Sequence, residues 1–121
     1  MSRELVTLTP DMPLQDAITR LLEHQYSGAP VLDASGTLVG LLSNKDCLKV
    51  AFSASYHQDW PGTVSDYMSS PVETIDADLD VVAAAERFVT GRYRRYPVLD
   101  AGALVGQVSR YDILRALKDL W

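Results

Sequence analysis

The chain has 121 residues, 47% of them hydrophobic, and a formal net charge of -5 at pH 7. This length suits one domain with a largely aliphatic core, and the acidic balance argues against a nucleic-acid partner, because phosphate contacts need a surplus of Lys and Arg. No apolar run approaches membrane length and residues 1–10 contain no apolar signal core, so the default expectation is a cytoplasmic protein without membrane association.

In chain order, the first half predicts a short extended piece over residues 6–8 and then a helix, with Pro13 in its first turn. A short apolar strand over 29–32, a glycine-containing turn and a second strand over 38–42 follow. A helix from 45 to about 53 ends this half. The first of these helices is predicted from apolar residues at helical spacing, which are Leu14, Ala17, Ile18, Leu21 and Leu22.

Residues 53–63 break this pattern and are predicted to link the two halves, and 64–68 suit one helical turn. The second half then predicts an extended piece over 72–75, strands over 96–99 and 103–108, and a final helix over 111–120. Asp78 or Asp80 suits the cap of the intervening helix. Its apolar positions, again at helical spacing, are Val81, Ala84, Ala85, Phe88 and Val89.

The two halves are copies of one unit. Thr7 aligns with Thr74, 67 positions later, and the five residues from Pro30 to Ala34 align with those from Pro97 to Ala101 without a mismatch. The second copy drops one residue in the following turn, after which the Leu-Val-Gly that begins at Leu38 aligns with the one that begins at Leu104. The order is kept throughout, so we interpret the chain as a tandem duplication.

This duplication predicts an α+β fold, a tandem repeat of β-α-β-β-α motifs with small sheets flanked by helices. The strands are short and almost wholly apolar, so we expect them to be buried on both faces. One copy has too little sheet to bury its own helices, and two copies facing each other across a pseudo-twofold axis solve that problem. The predicted boundaries are 1–54 for the first motif, 55–63 for the linker and 64–121 for the second motif.

A polar Ser-x-x-Asp pattern repeats where each second strand ends and a helix begins, at Ser43–Asp46 and Ser109–Asp112. One interpretation is a plain capping box, with Ser as the N-cap and an acid three residues on. The other is a ligand site, because a helix N-terminus favours anions and an Asp there can accept two hydrogen bonds from a vicinal diol such as a ribose. Both can hold at once.

A second candidate site lies just before the first internal strand of each copy, and here the two copies differ. Copy one has Ser27-Gly28 where copy two has Arg94-Arg95. Arg92 is expected in a solvated turn, but Arg94 and Arg95 lie next to a buried strand and are suited to forked contacts with phosphate. We therefore expect two unequal clefts.

These motifs, in the same order twice, resemble the CBS domain, named after cystathionine β-synthase, and their tandem arrangement resembles a Bateman module. The resemblance extends from about Glu4 to Leu120 and includes the stretch 64–72, which is similar to the start of a second CBS motif. It implies a regulatory module that binds AMP, ADP, ATP or S-adenosylmethionine in clefts between the copies, with the acid of each Ser-x-x-Asp motif on the ribose. It also implies a homodimer formed through helices.

Carried over residue by residue, the resemblance implies two ligand-binding sets. One cleft would use Ser43, Asp46, Thr74, Ile75, Arg94 and Arg95, with Tyr96 and Pro97 following them in the strand. The other would use Ser109, Asp112, Val6, Thr7, Leu8, Ser27, Gly28 and Ala29. The arginines match positions where the family often places phosphate contacts, and Ser27-Gly28 departs from that pattern.

Two other classes of function remain open. The chain could be a dimerisation or protein-interaction scaffold without ligand, in which the Ser and Asp residues are only caps and an unidentified effector protein carries the output. An enzyme is disfavoured: the chain has one cysteine, two histidines without metal spacing, no Gly-rich phosphate loop and no nucleophile elbow. We expect Cys47 in the core, because Ile113 is its counterpart in the second copy. The final helix ends at Trp121, and its apolar face could pair two copies of the chain.

Overall fold

The computed structural model describes residues 6–57 and 62–120 and divides the chain into two compact units. Among the described residues, one unit is Val6–Val72 and the other is 73–120. Residues 58–61 of the predicted linker and Trp121, at the expected end of the final helix, lie outside what the structure describes. In chain order the elements are α1 (Leu14–His24), β1 (Gly28–Leu32), β2 (Leu38–Ser43), α2 (Asn44–His57), α3 (Val64–Tyr67), β3 (Ile75–Asp76), α4 (Val81–Thr90), β4 (Arg95–Asp100), β5 (Ala103–Ser109) and α5 (Arg110–Leu120).

The Val6–Val72 unit is built on the antiparallel pair β1 and β2, in which Gly28 stands opposite Ser43. Leu8 adds a parallel bridge to Val31 on the outer side of β1. On the other side, Ser69 adds an antiparallel bridge to Leu41 of β2. The predicted extended piece at 6–8 is therefore present as a single bridge beside β1.

Two helices cover this small sheet with aliphatic side chains. Leu14 is 1% exposed and Leu21 is 2% exposed, so one stripe of α1 faces the core. Burying a leucine completely stabilises a fold by about 2 kcal/mol, before the loss of side-chain entropy. The remaining buried members of this core are Leu8, Ala17, Ala29, Val31, Leu42, Cys47, Val50 and Val64.

The Glu73–Trp121 part repeats this arrangement. β3 pairs in parallel with β4, and β4 pairs antiparallel with β5, which gives a three-stranded sheet in the order β3-β4-β5. The Asp80 carboxylate accepts a hydrogen bond of 2.8 Å from the Ala83 N–H, so Asp80 is the cap of α4. Phe88 and Tyr96 are buried aromatic members of this core, whereas the aromatic residue packed against the first core, Tyr67, is only partly buried.

The α+β fold with duplicated units is confirmed, and two details differ from expectation. Strands β1 and β4 each bury three consecutive residues, as expected for burial on both faces. Strands β2 and β5 bury only alternate residues, because only one face of each lies against the core. Helix α2 runs to His57, past the expected end at 53, because Val50 and Ala54 continue its buried stripe. No helix within 6–57 or 62–120 combines the length and the hydropathy needed to span a bilayer.

Candidate functional site

The first Ser-x-x-Asp motif forms a reciprocal capping box at the junction of β2 and α2. The Asp46 N–H donates to Ser43 Oγ at 3.1 Å, and the Ser43 N–H donates to Asp46 Oδ2 at 3.0 Å. Both residues are partly buried. Within 6–57 and 62–120, no group donates a hydrogen bond to the other carboxylate oxygen, Asp46 Oδ1. The capping role uses one oxygen of this acid and leaves the second for other chemistry.

The second motif has the same geometry between β5 and α5. The Ser109 N–H donates to Asp112 Oδ2 at 2.9 Å, and Ser109 Oγ lies 3.0 Å from the same oxygen. Partial burial raises the pKa of Asp112, but the hydrogen bonds from Ser109 and the positive charge of Arg95 outweigh it, so the pKa is lowered overall. The carboxylate is therefore charged at neutral pH, as a diol acceptor must be.

In each unit the strand register brings the predicted site residues of one repeat to one end of its sheet. In the first, Gly28 opposes Ser43 and the Asn44 N–H donates to the Ser27 carbonyl at 2.8 Å. The Arg20 guanidinium holds the Thr7 carbonyl at 3.1 Å and so fixes the piece beside β1. Val6 and Thr7 are half-buried, and Leu8 and Ala29 lie in the core.

The second repeat matches this arrangement. Arg95 opposes Ser109, and the Arg110 N–H donates to the Arg94 carbonyl at 3.2 Å. Ile75, at the start of β3, is buried, and Thr74 before it is half-buried. Each acid thus lies beside the strand start of its own repeat. The sequence predicts instead that Asp46 shares a pocket with the strand start that carries Arg94 and Arg95, and that Asp112 shares one with residues 6–8 and 27–29. This pairing across repeats stays a prediction.

The four predicted residues at the start of β4 differ in accessibility. Arg94 and Arg95 are exposed, which leaves their guanidinium groups able to reach an anion. Tyr96 is 1% exposed, and its hydroxyl donates to the Arg87 carbonyl at 3.2 Å. Pro97 is likewise fully buried, so these two side chains belong to the core and any contribution to a ligand would be through their backbone.

A cavity of about 410 Å³ borders Asp46 in the first unit, between α2 and α3. A small-molecule site typically has several hundred Å³, so the size is suitable. Lys49 and Ser53 were missed by the sequence analysis, although both follow Asp46 at helical spacing, which places them on its face of α2. The lining residues are Asp46, Lys49, Val50, Ser53, Ala54, Asp66 and Tyr67.

A third box of the same type was also missed. Thr63 caps the short helix α3, and its N–H donates to Asp66 Oδ2 at 2.9 Å. The signal was present in the sequence as Thr63-x-x-Asp66, which follows the capping pattern. Within 6–57 and 62–120, no group of three or more His, Cys, Asp or Glu residues is arranged to hold a metal ion.

The structure is thus a duplicated unit in which each copy carries a Ser-Asp capping box at the end of its sheet. The profile of the CBS domain matches residues 1–53 and 64–119, so the chain belongs to the CBS-domain family. CBS pairs are regulatory domains, and both the fold and the resemblance deduced from the sequence are confirmed.

Two curated relatives illustrate where such a pair occurs. The chain is 32% identical over 112 residues to an A-adding tRNA nucleotidyltransferase of Aquifex aeolicus, and 25% identical over 113 residues to the CBS domain-containing protein YhcV of Bacillus subtilis. Each match covers 93% of the chain. The chain spans 13% of the nucleotidyltransferase and 79% of YhcV.

Solved structures show the same fold. The crystal structure of CBSX2 in complex with AMP has a TM-score of 0.81 and 29% identity, and the match covers 97% of this chain and 90% of that one. The CBS-domain protein ATU1752 from Agrobacterium tumefaciens has a TM-score of 0.78 and 27% identity, with 95% and 85% covered. Adenosine-containing ligands are therefore bound within the group of CBS pairs to which this chain is similar.

Proposed function

We propose that this chain is a regulatory module that binds an adenosine-containing ligand, with AMP as the first candidate, in pockets formed by residues of both repeats. The observation that carries the proposal is the placement of Ser43–Asp46 and Ser109–Asp112, each at the end of a sheet beside a strand start. The AMP complex of the similar CBSX2 makes AMP the first ligand to test. ADP, ATP and S-adenosylmethionine are the alternatives that share the adenosine moiety.

The chemistry of the box suits a ribose. A carboxylate has two oxygens, and one of those of Asp46 is used by the Ser43 N–H. The other can accept from the hydroxyls of a vicinal diol, and charge-assisted hydrogen bonds are the strong ones in proteins. The positive end of the α2 dipole also lies at this site and favours a phosphate.

The two pockets are expected to differ in their affinity for phosphate. Arg94 and Arg95 supply exposed guanidinium groups at one strand start, and Ser27-Gly28 supply none at the other. A ligand with more phosphates would therefore favour the pocket that contains the arginines. Lys49, on the cavity that borders Asp46, adds a further positive charge beside that acid.

Calorimetric titration with AMP tests the role of the acids. In Asp46→Ala and Asp112→Ala the affinity of the altered pocket should fall by about 100-fold, because a hydrogen bond to a charged group contributes ~1.5–3 kcal/mol. Asp80→Ala is the control for the loss of a helix-capping carboxylate, since Asp80 is the N-cap of α4, accepts from the Ala83 N–H and has no predicted ligand role. If the double variant Asp46→Ala/Asp112→Ala binds AMP as well as the parent does, the ribose role is wrong.

The assignment of Arg95 to a pocket has its own test. In a double-mutant cycle, substitutions of two residues that contact one ligand in one pocket are coupled. Arg95→Ala is expected to couple with Asp46→Ala in AMP affinity, as the pairing across repeats predicts. Coupling with Asp112→Ala instead would assign Arg95 to the acid beside it in its own repeat.

The second candidate is a scaffold that binds no small molecule, as the capping geometry alone would allow. Thermal unfolding with and without nucleotide separates the two, because a ligand at one hundred times its dissociation constant stabilises the fold by about 2.7 kcal/mol. A panel of AMP, ADP, ATP and S-adenosylmethionine that produces no shift would favour the scaffold. In either case we propose a cytoplasmic, non-enzymatic module whose output depends on a separate effector protein.

We further propose that two copies associate through helices. Leu48, Phe52 and Tyr56 are 69%, 65% and 74% exposed and recur every fourth residue, so they form one apolar stripe along α2. On α5, Leu114 and Leu120 are also exposed. Light scattering should give a dimer mass for the parent and a monomer mass for Phe52→Lys; a parent that is monomeric at working concentration removes the dimer.

A further inference from the structure

The cavity beside Asp46 has an apolar floor and a charged rim. Val50 and Ala54 of α2 form the floor and are 8% and 6% exposed. Lys49 and Asp66 are exposed lining residues and form the rim. Lys49 belongs to α2 and Asp66 to α3, so the cavity has a cation on one wall and a carboxylate on the other.

These two rim charges are not neutralised by neighbouring side chains. Within 6–57 and 62–120, Lys49 and Asp66 form no salt bridge with each other or with another group. Asp66 Oδ2 accepts from the Thr63 N–H at 2.9 Å, but this hydrogen bond leaves the negative charge in place. Charges interact over about 8 Å at physiological ionic strength, so both act on whatever occupies the cavity.

The rim lies where the proposed function places the 5′ substituent of a ribose. Lys49 follows Asp46 by three residues, which is about 4.5 Å along the helix axis, and lies on the same face of α2. Asp46, Lys49 and Asp66 all line one cavity of about 410 Å³, so a group attached to a ribose on Asp46 lies close to both rim charges. Resting on that proposed function, we infer that Asp66 is a specificity-determining residue, whose carboxylate selects adenosine-containing ligands by the charge of their 5′ substituent.

The candidate ligands differ strongly in that charge. AMP, ADP and ATP become more negative with each phosphate, so the repulsion from Asp66 grows along the series, against the attraction from Lys49. S-adenosylmethionine carries a sulfonium and an ammonium group with a single carboxylate, so Asp66 attracts it, and its methylene groups suit the apolar floor. Asp66 thus counteracts the arginines that the sequence assigns to this pocket, and specificity arises from repulsion as well as attraction.

Calorimetric titration with AMP, ADP, ATP and S-adenosylmethionine tests the inference. The full chain is used with Asp112→Ala, which weakens the other pocket. Asp66→Asn then removes the charge and keeps an oxygen that can accept from the Thr63 N–H. The affinity for AMP should rise about threefold and that for ATP about tenfold, whereas the affinity for S-adenosylmethionine should fall about threefold. At about 0.5 M salt all these changes should shrink, because salt screens exposed charges.

Two further variants serve as controls. Asp33→Asn removes a carboxylate charge from the same unit; Asp33 accepts from the Ser35 and Thr37 N–H groups and does not line the cavity. It should change each affinity by less than about twofold, because its charge is remote and screened. Lys49→Gln removes the opposite charge, so it should weaken ATP binding more than AMP binding.

The direction of the changes decides the outcome. If Asp66→Asn shifts all four affinities by the same factor, or none of them, Asp66 serves only the fold of α3 and the inference is wrong, while the proposed function stands. If the parent binds the ligands and the Asp112→Ala chain binds none, the Asp46 pocket holds no ligand and the inference is wrong for that reason. A parent that binds none of the four contradicts the proposed function itself, and the inference with it.

Discussion

Substitutions of Tyr96 test whether this side chain, near the start of β4, packs in the core or contacts the ligand. Its ring packs edge-on against Phe88 at 4.9 Å and against Tyr93 at 5.6 Å, and its hydroxyl donates to the Arg87 carbonyl. That carbonyl also accepts from the Gly91 N–H at 3.0 Å. Tyr96→Phe removes one hydrogen bond without leaving the carbonyl unpaired, so we expect a loss of only about 1 kcal/mol in the free energy of unfolding.

Tyr96→Leu removes the ring contacts as well. An aromatic pair contributes about 0.5–1.5 kcal/mol beyond its buried area, and the smaller side chain leaves a void in a core with few voids. We therefore expect a loss of ~3 kcal/mol for this variant. Urea denaturation followed by circular dichroism measures both losses, and with a slope of about 1–3 kcal/mol per molar the Tyr96→Phe midpoint should fall by a few tenths of a molar to 1 M.

The matching measurement is AMP affinity under native conditions. Both Tyr96 variants should bind AMP as the parent does, because the side chain is 1% exposed and its hydroxyl is engaged within the protein. If Tyr96→Phe unfolds at the parent's urea midpoint yet binds AMP at least tenfold more weakly, the hydroxyl serves the ligand and the reasoning from burial is refuted.

Two further predictions follow from titratable groups. The fold lowers the pKa of Asp112, so the stability that this carboxylate contributes is present above its unfolded pKa of about 3.9 and is lost as pH falls through the lower native value. Between pH 5 and 3, the free energy of unfolding should therefore fall less in Asp112→Asn than in the parent. Burial, with the charge of Asp46, raises the pKa of the Cys47 thiol, so alkylation at pH 7 should be slow in the native protein and fast in urea. Rapid native alkylation would contradict this.

Several features could be deduced from the sequence because they depend on local patterns. Apolar residues at helical spacing located α1 and α4, and the glycine turns located the strand pairs. Because the sequence is duplicated, each element predicted in one copy had a counterpart in the other, so a weak local pattern in one copy was supported by the matching pattern in the second. The capping boxes at Ser43 and Ser109 were also local, since each spans four residues.

Other features depended on contacts between distant parts of the chain. That Tyr96 lies in the core and Arg95 at the surface was decided by the packing of the Tyr96 ring against Phe88 of α4. The extension of α2 to His57 depended on the burial of Ala54. The cavity at Asp46 required α3 to lie beside α2.

The sequence by itself thus determined the family, the duplicated α+β unit and the two acids on which the proposed function depends. Only the tertiary structure decided which neighbouring residues are accessible and which strand edges are covered. The physical reason is range: capping, turns and helical spacing involve residues a few positions apart. Burial and edge pairing are set by segments far apart in the chain, such as Ser69 and Leu41, whose meeting no local pattern records.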